Sequence, residues 1–233
     1  MIRKLGRIVL GGIAVLFGTI AYCWFTLPDV RPLKTQTPTS TAFMRMRAAE
    51  AVRAGKPTTY TQRFVRYNRI SPTLVRAVLL AEDAAFWSHG GVDWDEIKAS
   101  IQRNFDRGEF SRGASTITQQ LAKNLYLSPS RNPYRKLTEW MITRRLEAEL
   151  SKQRILELYL NLIEWGDGIW GVEAASQRYF GISASELNAE QSALLAGAII
   201  NPRIYSPAHP NGRLLRRQQI ILGRMNGGSS EGK

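Results

Sequence analysis

Gly113-Ala114-Ser115-Thr116-Ile117-Thr118-Gln119-Gln120-Leu121-Ala122-Lys123-Asn124 is the stretch from which the fold is read. Ile117, Leu121 and Leu125 recur at four-residue spacing, as one apolar stripe of a helix does. Thr116, Gln120 and Lys123 stand at i, i+4 and i+7 on the adjacent face. A merely solvated face is typically built from Glu and Lys; this one is Thr, Gln and Asn with a single Lys. One side can pack while the other presents hydroxyl, amide and ammonium groups to a ligand. Gly113 and Ser115 precede the helix, and a helix N-terminus favours anions. An amphipathic helix with an ordinary wet face is the plain alternative.

The helical period returns on both sides of this stretch. It begins at about Ala42, and Ser71-Pro72 is a start signal for a Leu-, Val- and Ala-rich helix over Thr73–Asp83. Asp93-Trp94-Asp95-Glu96 has capping-box spacing, with Trp94, Ile97, Ile101 and Phe105 as the apolar face that follows. Further helices are predicted at about 115–126, 134–150, 152–162, 171–180, 188–199 and 213–225, with Gly181 and Gly197 as stops. No alternating run is long enough for a strand, and there is no internal repeat. Apolar residues are 44% of the 233 and charged residues 22%, enough for a packed core and against wholesale disorder. The single cysteine, Cys23, excludes a disulfide framework and a Cys-rich zinc site; two histidines, His89 and His209, exclude a multi-histidine metal centre.

The net charge of +13 points to a polyanionic partner. Ile8 to Leu27 carries no charge over 20 residues and follows Arg3, Lys4 and Arg7. Its length and flanks predict an uncleaved transmembrane helix with the N-terminus in the cytoplasm. The organisation expected is a basic cytoplasmic tail at 1–7, a transmembrane helix at 8–27, a Pro- and Thr-rich linker at 28–41, one catalytic domain at 42–225 and a flexible tail at 226–233. A basic domain exported behind an anchor is badly placed to meet nucleic acid and well placed to meet anionic lipid or a lipid-linked phosphate.

Glu82 and Asp83 end an apolar helix and precede Phe86, His89, Gly91 and Asp93. A carboxylate at the edge of an apolar segment has its charged form disfavoured, which suits an acid or base working near neutrality. Arg135 and Glu139 stand at i and i+4 on the next helix, either as a surface ion pair or as a cation and second carboxylate of a site. In the stretch from Lys152 to Asn161, Glu157, Tyr159 and Asn161 read as braces.

These residues make the sequence resemble glycosyltransferase family 51, the peptidoglycan polymerases, and within it the monofunctional transglycosylases of bacteria. The pattern Glu-Asp-x-x-Phe-x-x-His-x-Gly-x-Asp is complete from Glu82 to Asp93, and Gly-x-Ser-Thr-Ile-x-Gln-Gln-Leu-x-Lys-Asn is complete from Gly113 to Asn124. Arg-Lys-x-x-Glu is Arg135, Lys136 and Glu139, and Lys-x-x-Ile-Leu-Glu-x-Tyr-Leu-Asn runs from Lys152 to Asn161. A weaker match covers Ala193 to Ala196 and then Asn201 to Pro207, with Ile200 where the family often has Pro. Four full motifs in order are far more specific than any one of them.

The resemblance implies a mainly helical fold: a lysozyme-like domain with a smaller membrane-facing lobe near 100–130, where Phe105, Phe110, Leu125, Tyr126 and Leu127 are candidates for an apolar surface. It implies a peptidoglycan glycosyltransferase that joins lipid II into glycan strands with inversion, undecaprenyl pyrophosphate leaving. Glu82 and Glu139 are the implied catalytic residues. Asp83, Phe86, His89, Ser115, Thr116, Gln119, Gln120, Lys123, Asn124, Arg135 and Lys152 are the implied substrate-binding set. No cofactor is implied as a requirement; Glu139 acts through positioning or through a divalent cation, Mg or Mn. Lipid II, the growing glycan chain and membrane lipid are the implied partners, with cell-wall synthase or division proteins as further candidates. The implied setting is the bacterial inner membrane, single-pass, with a periplasmic catalytic domain. Competing readings are a wall-cleaving enzyme of lysozyme type and a non-enzymatic anchored scaffold. A transpeptidase domain is excluded because the chain is too short to hold one.

Overall fold

A computed structural model describes residues 2–58, 60–107, 115–127 and 133–227, those at 2–5, 8, 9, 16, 23, 103–107 and 133 as backbone only. In chain order the helices are α1 (Ile2–Thr26), α2 (Ala42–Arg53), α3 (Pro72–Glu82), α4 (Trp94–Arg107), α5 (Ile117–Tyr126), α6 (Pro133–Glu149), α7 (Lys152–Leu162), α8 (Val172–Phe180), α9 (Ala189–Ala198) and α10 (Gly212–Gly227). The mainly helical expectation is met, and the helices from α5 onward fall within a residue or two of their expected ends.

Two helix layers share one core. α5 packs between α6 and α7, and α3 packs against α9 and α10. The stripe read from the sequence is the packed one: Ile117 and Leu121 are fully buried and Leu125 nearly so. They meet α7, whose Ile155, Leu156, Leu158 and Leu160 are all inaccessible to solvent. Each such aliphatic side chain contributes about 1.5–3 kcal/mol on burial. Leu125 belongs to this core, and the half-buried Tyr126 and Leu127 pack against it. Phe110 and Gly113 lie outside the described residues, as do the side chains of Phe105 and Cys23. On α4, by contrast, Trp94 and Ile101 stand more than 60% exposed, while Ile97 is half-buried.

Three short strands escape sequence reading: β1 (Thr61–Gln62), β2 (Glu164–Gly166) and β3 (Ile169–Trp170). Their order is β1-β3-β2, with β1 parallel and β2 antiparallel to β3. Two or three residues are too few to show an alternating pattern. Asn161 and Glu157 brace the approach to α3. Asn161 exchanges hydrogen bonds with the Val65 backbone at 2.8 and 2.9 Å, and Glu157 accepts from the Tyr67 N–H.

The transmembrane reading needs correction. Among the described residues no helix is long and apolar enough to cross a membrane. An uncharged run is not an unbroken apolar one. Gly11, Gly12 and Gly18 bring no side chain to α1, and the hydroxyls of Thr19 and Thr26 fold back onto the Val15 and Tyr22 carbonyls. The transmembrane helix at 8–27 is not retained, nor is the single-pass inner-membrane placement built on it. The end of α1 is tied to α6 instead: Arg145 donates to the Trp24 carbonyl at 2.8 Å and lies over its ring. The segment read as a linker is packed as well. Val30 and Leu33 are buried, Lys34 pairs with Glu149 at 2.7 Å, and Arg154 donates to the Leu33 and Gln36 carbonyls.

The two glycines read as stops differ. Gly181 ends α8 in the left-handed region, as its sequence position suggests. Gly197 is not a stop: it lies inside α9, where a Cβ would press on Leu214, and its carbonyl receives Arg217 from α10 at 3.0 Å.

Candidate active site

The last residue of α3, Glu82, and the residue after it, Asp83, part company. Asp83 has extended backbone and turns its carboxylate inward, where it is 8% exposed. One oxygen accepts from His89 Nε2 at 2.8 Å and the other from the Ile117 N–H at 2.9 Å, joining α3 to the start of α5. The Gly91 N–H donates to His89 Nδ1, which assigns the Nε2–H tautomer that Asp83 needs. Gly91 has φ +91, and a Cβ there would sit 2.7 Å from Thr143 Cγ2, so the position requires glycine. Its carbonyl accepts from the Thr116 hydroxyl at 2.7 Å.

Thr116 is thereby placed as the N-cap of α5, not on its open face. Its side chain and that of Gln119 form a reciprocal capping box, and both are buried. Phe86 is fully buried beneath Lys152, whose Nζ lies 4.4 Å from the ring centroid and pairs with Glu147 at 2.8 Å. Glu147 also accepts from Thr118. Asp83, Phe86, His89, Thr116, Gln119 and Lys152 therefore gather into a saturated bracing cluster.

Glu82 points the other way. It receives one side-chain hydrogen bond, from Gln120 Nε2 at 2.9 Å. It lines a cavity of about 560 Å³ with Ala84, Asp93, Ser115, Thr116 and Arg224. Burial pushes the Glu82 carboxyl above the usual glutamate range, while the Gln120 bond and the charges of Arg217 and Lys123 pull it back. Lys123, one turn along α5 from Gln120, is shifted the opposite way. Burial pushes its ammonium below the usual lysine range, Glu139 opposes that, and Arg135 and Lys136 add to it. Asn124 is turned back onto the Gln120 carbonyl at 2.8 Å.

Glu139 is 3% exposed and clamped by two cations, Arg135 at 2.7 Å and Lys136. Both its oxygens are engaged by positive charge, so it does not fit a divalent-cation ligand. Asp83, His89 and Asp93 bring ligand-type atoms within 4.8 Å of one another. Both Asp83 oxygens and both His89 nitrogens are already committed, and the tautomer leaves Nε2 no lone pair, so this cluster does not fit an ion either. The structure thus brings Glu82, Ser115, Gln120, Lys123, Arg135 and Glu139 to one side of α5, and sets the bracing cluster behind them.

Arg217 and Arg224 were not read from the sequence as site residues. They lie seven apart on one face of α10. Nothing local says that this face meets α3, where Arg224 donates to the Leu80 carbonyl at 3.1 Å. A second cavity of about 440 Å³, by α2 and β2, is charged but internally paired: Arg47 holds Glu50 and Glu164, and Arg203 holds Asp167.

Glu82 and Lys123 are thus a desolvated carboxylate and a desolvated ammonium, each within reach of the other's charge. The sequence profile of the transglycosylase family matches residues 49–226. A biosynthetic peptidoglycan transglycosylase of Laribacter hongkongensis is 44% identical over 91% of this chain and 88% of its own length. Those of Nitrosomonas eutropha and Methylobacillus flagellatus are 46% and 47% identical, covering 87% and 81% of this chain and 82% of each relative. With a match through every element from α3 to α10, the chain belongs to the transglycosylase family and is an enzyme of the peptidoglycan glycosyltransferase class.

Proposed function

We propose that the chain polymerises lipid II into glycan strands by an inverting transfer with undecaprenyl pyrophosphate as leaving group. Glu82 takes the proton from the acceptor sugar hydroxyl. That oxygen attacks the anomeric carbon of the growing chain from the face opposite the pyrophosphate. The carbon–oxygen bond to the pyrophosphate breaks, and its electron pair leaves as phosphate charge. Lys123 and Arg135 receive that charge, with Ser115 and Gln120 supplying further polar contacts. Glu139 holds Arg135 in place for it.

The observation that supports this reading is the pair of opposite displacements, Glu82 upward and Lys123 downward, each driven toward neutrality by burial and each partly offset by the charge of the other. A base alone would serve many reactions. A base facing a buried cation suits one in which a hydroxyl loses a proton while a phosphate departs.

Labelled lipid II given to the purified full-length protein, with products resolved on a gel, tests the proposal. Polymer is expected from the wild type. Glu82→Gln is expected to lose on the order of a hundredfold or more in rate. A wild type that cleaves purified peptidoglycan and makes no polymer would overturn the reading.

A further inference from the structure

Gln120 is an amide with two hands. Its Nε2 can only donate and its Oε1 can only accept. Nε2 faces two acceptors, Glu82 Oε2 at 2.9 Å and the Ser115 carbonyl at 3.4 Å. Oε1 accepts at 3.0 Å from the hydroxyl of Tyr159, which rises from α7 and is fully buried. From this geometry we infer that Tyr159 is a positioning residue, locking Gln120 as a donor so that Glu82 is held as a carboxylate aimed into its cavity. This rests on the assignment of Glu82 as the base.

The lock has a chemical consequence. A donor stabilises ionised Glu82 more than the protonated acid, whose carbonyl oxygen is the weaker acceptor. Without Tyr159, the amide can turn over and accept from protonated Glu82, which stabilises the acid form. Glu82 would then take up its proton at higher pH and be a weaker catalyst below that point. Tyr159 itself stays a donor throughout, because burial drives its hydroxyl far above the usual tyrosine range. The other charges around Glu82 stay as they were: Asp83 beside it, Lys123 on α5, Arg217 and Arg224 on α10, and Asp93 and Glu96 across the cavity.

The test reads Glu82 directly. Full-length protein carrying ¹³C at the glutamate carboxyl carbons is titrated by NMR, with Glu82→Gln assigning the signal. Tyr159→Phe keeps the ring in its packing, and a thermal melt checks that the fold is kept. The Glu82 midpoint is expected to rise by about one pH unit or less, the scale of one hydrogen bond to a charged group. Gln120→Leu reads the same bond from the other end and should also raise it. The double variant should move no further than Gln120→Leu alone. An unmoved midpoint in Tyr159→Phe or in Gln120→Leu would overturn the inference, as would two shifts that add in full. Lipid II assays on the same samples separate the two proposals. A midpoint that moves in a protein making no polymer leaves the relay standing and removes the lipid II reading. Polymer with an unmoved midpoint does the reverse.

Discussion

Glu82 and Asp83 are neighbours in the chain and opposites in their surroundings. Asp83 faces inward and is saturated by His89 and the Ile117 N–H; Glu82 faces a cavity and has one side-chain donor, Gln120. Burial without full pairing displaces Glu82 toward neutrality, whereas full pairing makes Asp83 a joint between α3 and α5. The same split runs through α5. Thr116 and Gln119 close its N-terminus, while Gln120 reaches Glu82 and Lys123 is buried among the charges of Glu139 and Arg135. A saturated polar group stabilises a fold, and an under-saturated one is available to a substrate.

That contrast can be broken by experiment. The largest effect expected is on rate. Lys123→Met should reduce lipid II polymerisation on the order of a hundredfold or more, with little change in melting temperature, since it removes a charge that the fold does not use. Next comes a pure fold effect. Gly91→Ala puts a Cβ against Thr143 and Glu147 at a positive φ, and chemical denaturation should show a loss of about 2 kcal/mol or more. A third effect is on pH dependence. Glu82 must be ionised and its carboxyl is raised, so activity should fall, as pH drops, at higher pH than an ordinary glutamate would give. Lys123 must be protonated and is lowered, so the alkaline limb should come below that of an ordinary lysine. A pH–rate profile narrowed on both sides is the expected result. The smallest effect is at the brace: Lys152→Met removes the Glu147 pair and the Phe86 contact, and should cost about 1 kcal/mol of stability with far less effect on rate than Lys123→Met.

Much of the fold was legible because it is helical. The sequence reading located α5, α6, α7 and α9 to within a residue or two, and all four pack into the helical core. The β1-β3-β2 sheet was not legible, because two-residue strands are held by their partners and carry no pattern of their own. Thr116 was misplaced by one step of reasoning. It shares a helical face with Gln120 and Lys123 only if the helix includes it, and the helix begins at Ile117. Lys152 was read as a substrate ligand, yet in the fold it is committed to Glu147. Ser71 and Pro72 do start α3, but the Ser71 side chain makes no cap bond and its hydroxyl donates to the Leu187 carbonyl, a partner more than a hundred residues away. The charge-free N-terminal run reads as a span, whereas among the described residues no helix is long and apolar enough to cross a membrane. Arg217 and Arg224 were invisible as site residues because long-range packing, not local sequence, brings α10 to α3.

The comparison between the adjacent carboxylates is tested most directly by measuring initial rate and melting temperature on Glu82→Gln and Asp83→Asn side by side. Glu82→Gln should abolish polymerisation and keep or slightly raise the melting temperature, because the neutral amide removes the cost of a buried charge. Asp83→Asn meets the His89 and Ile117 donors with one acceptor too few. It should lose about 2–3 kcal/mol, or roughly 4–12 °C in a chain of this size. Equal losses of stability in the two variants, or an active Glu82→Gln, would contradict the division of labour between them.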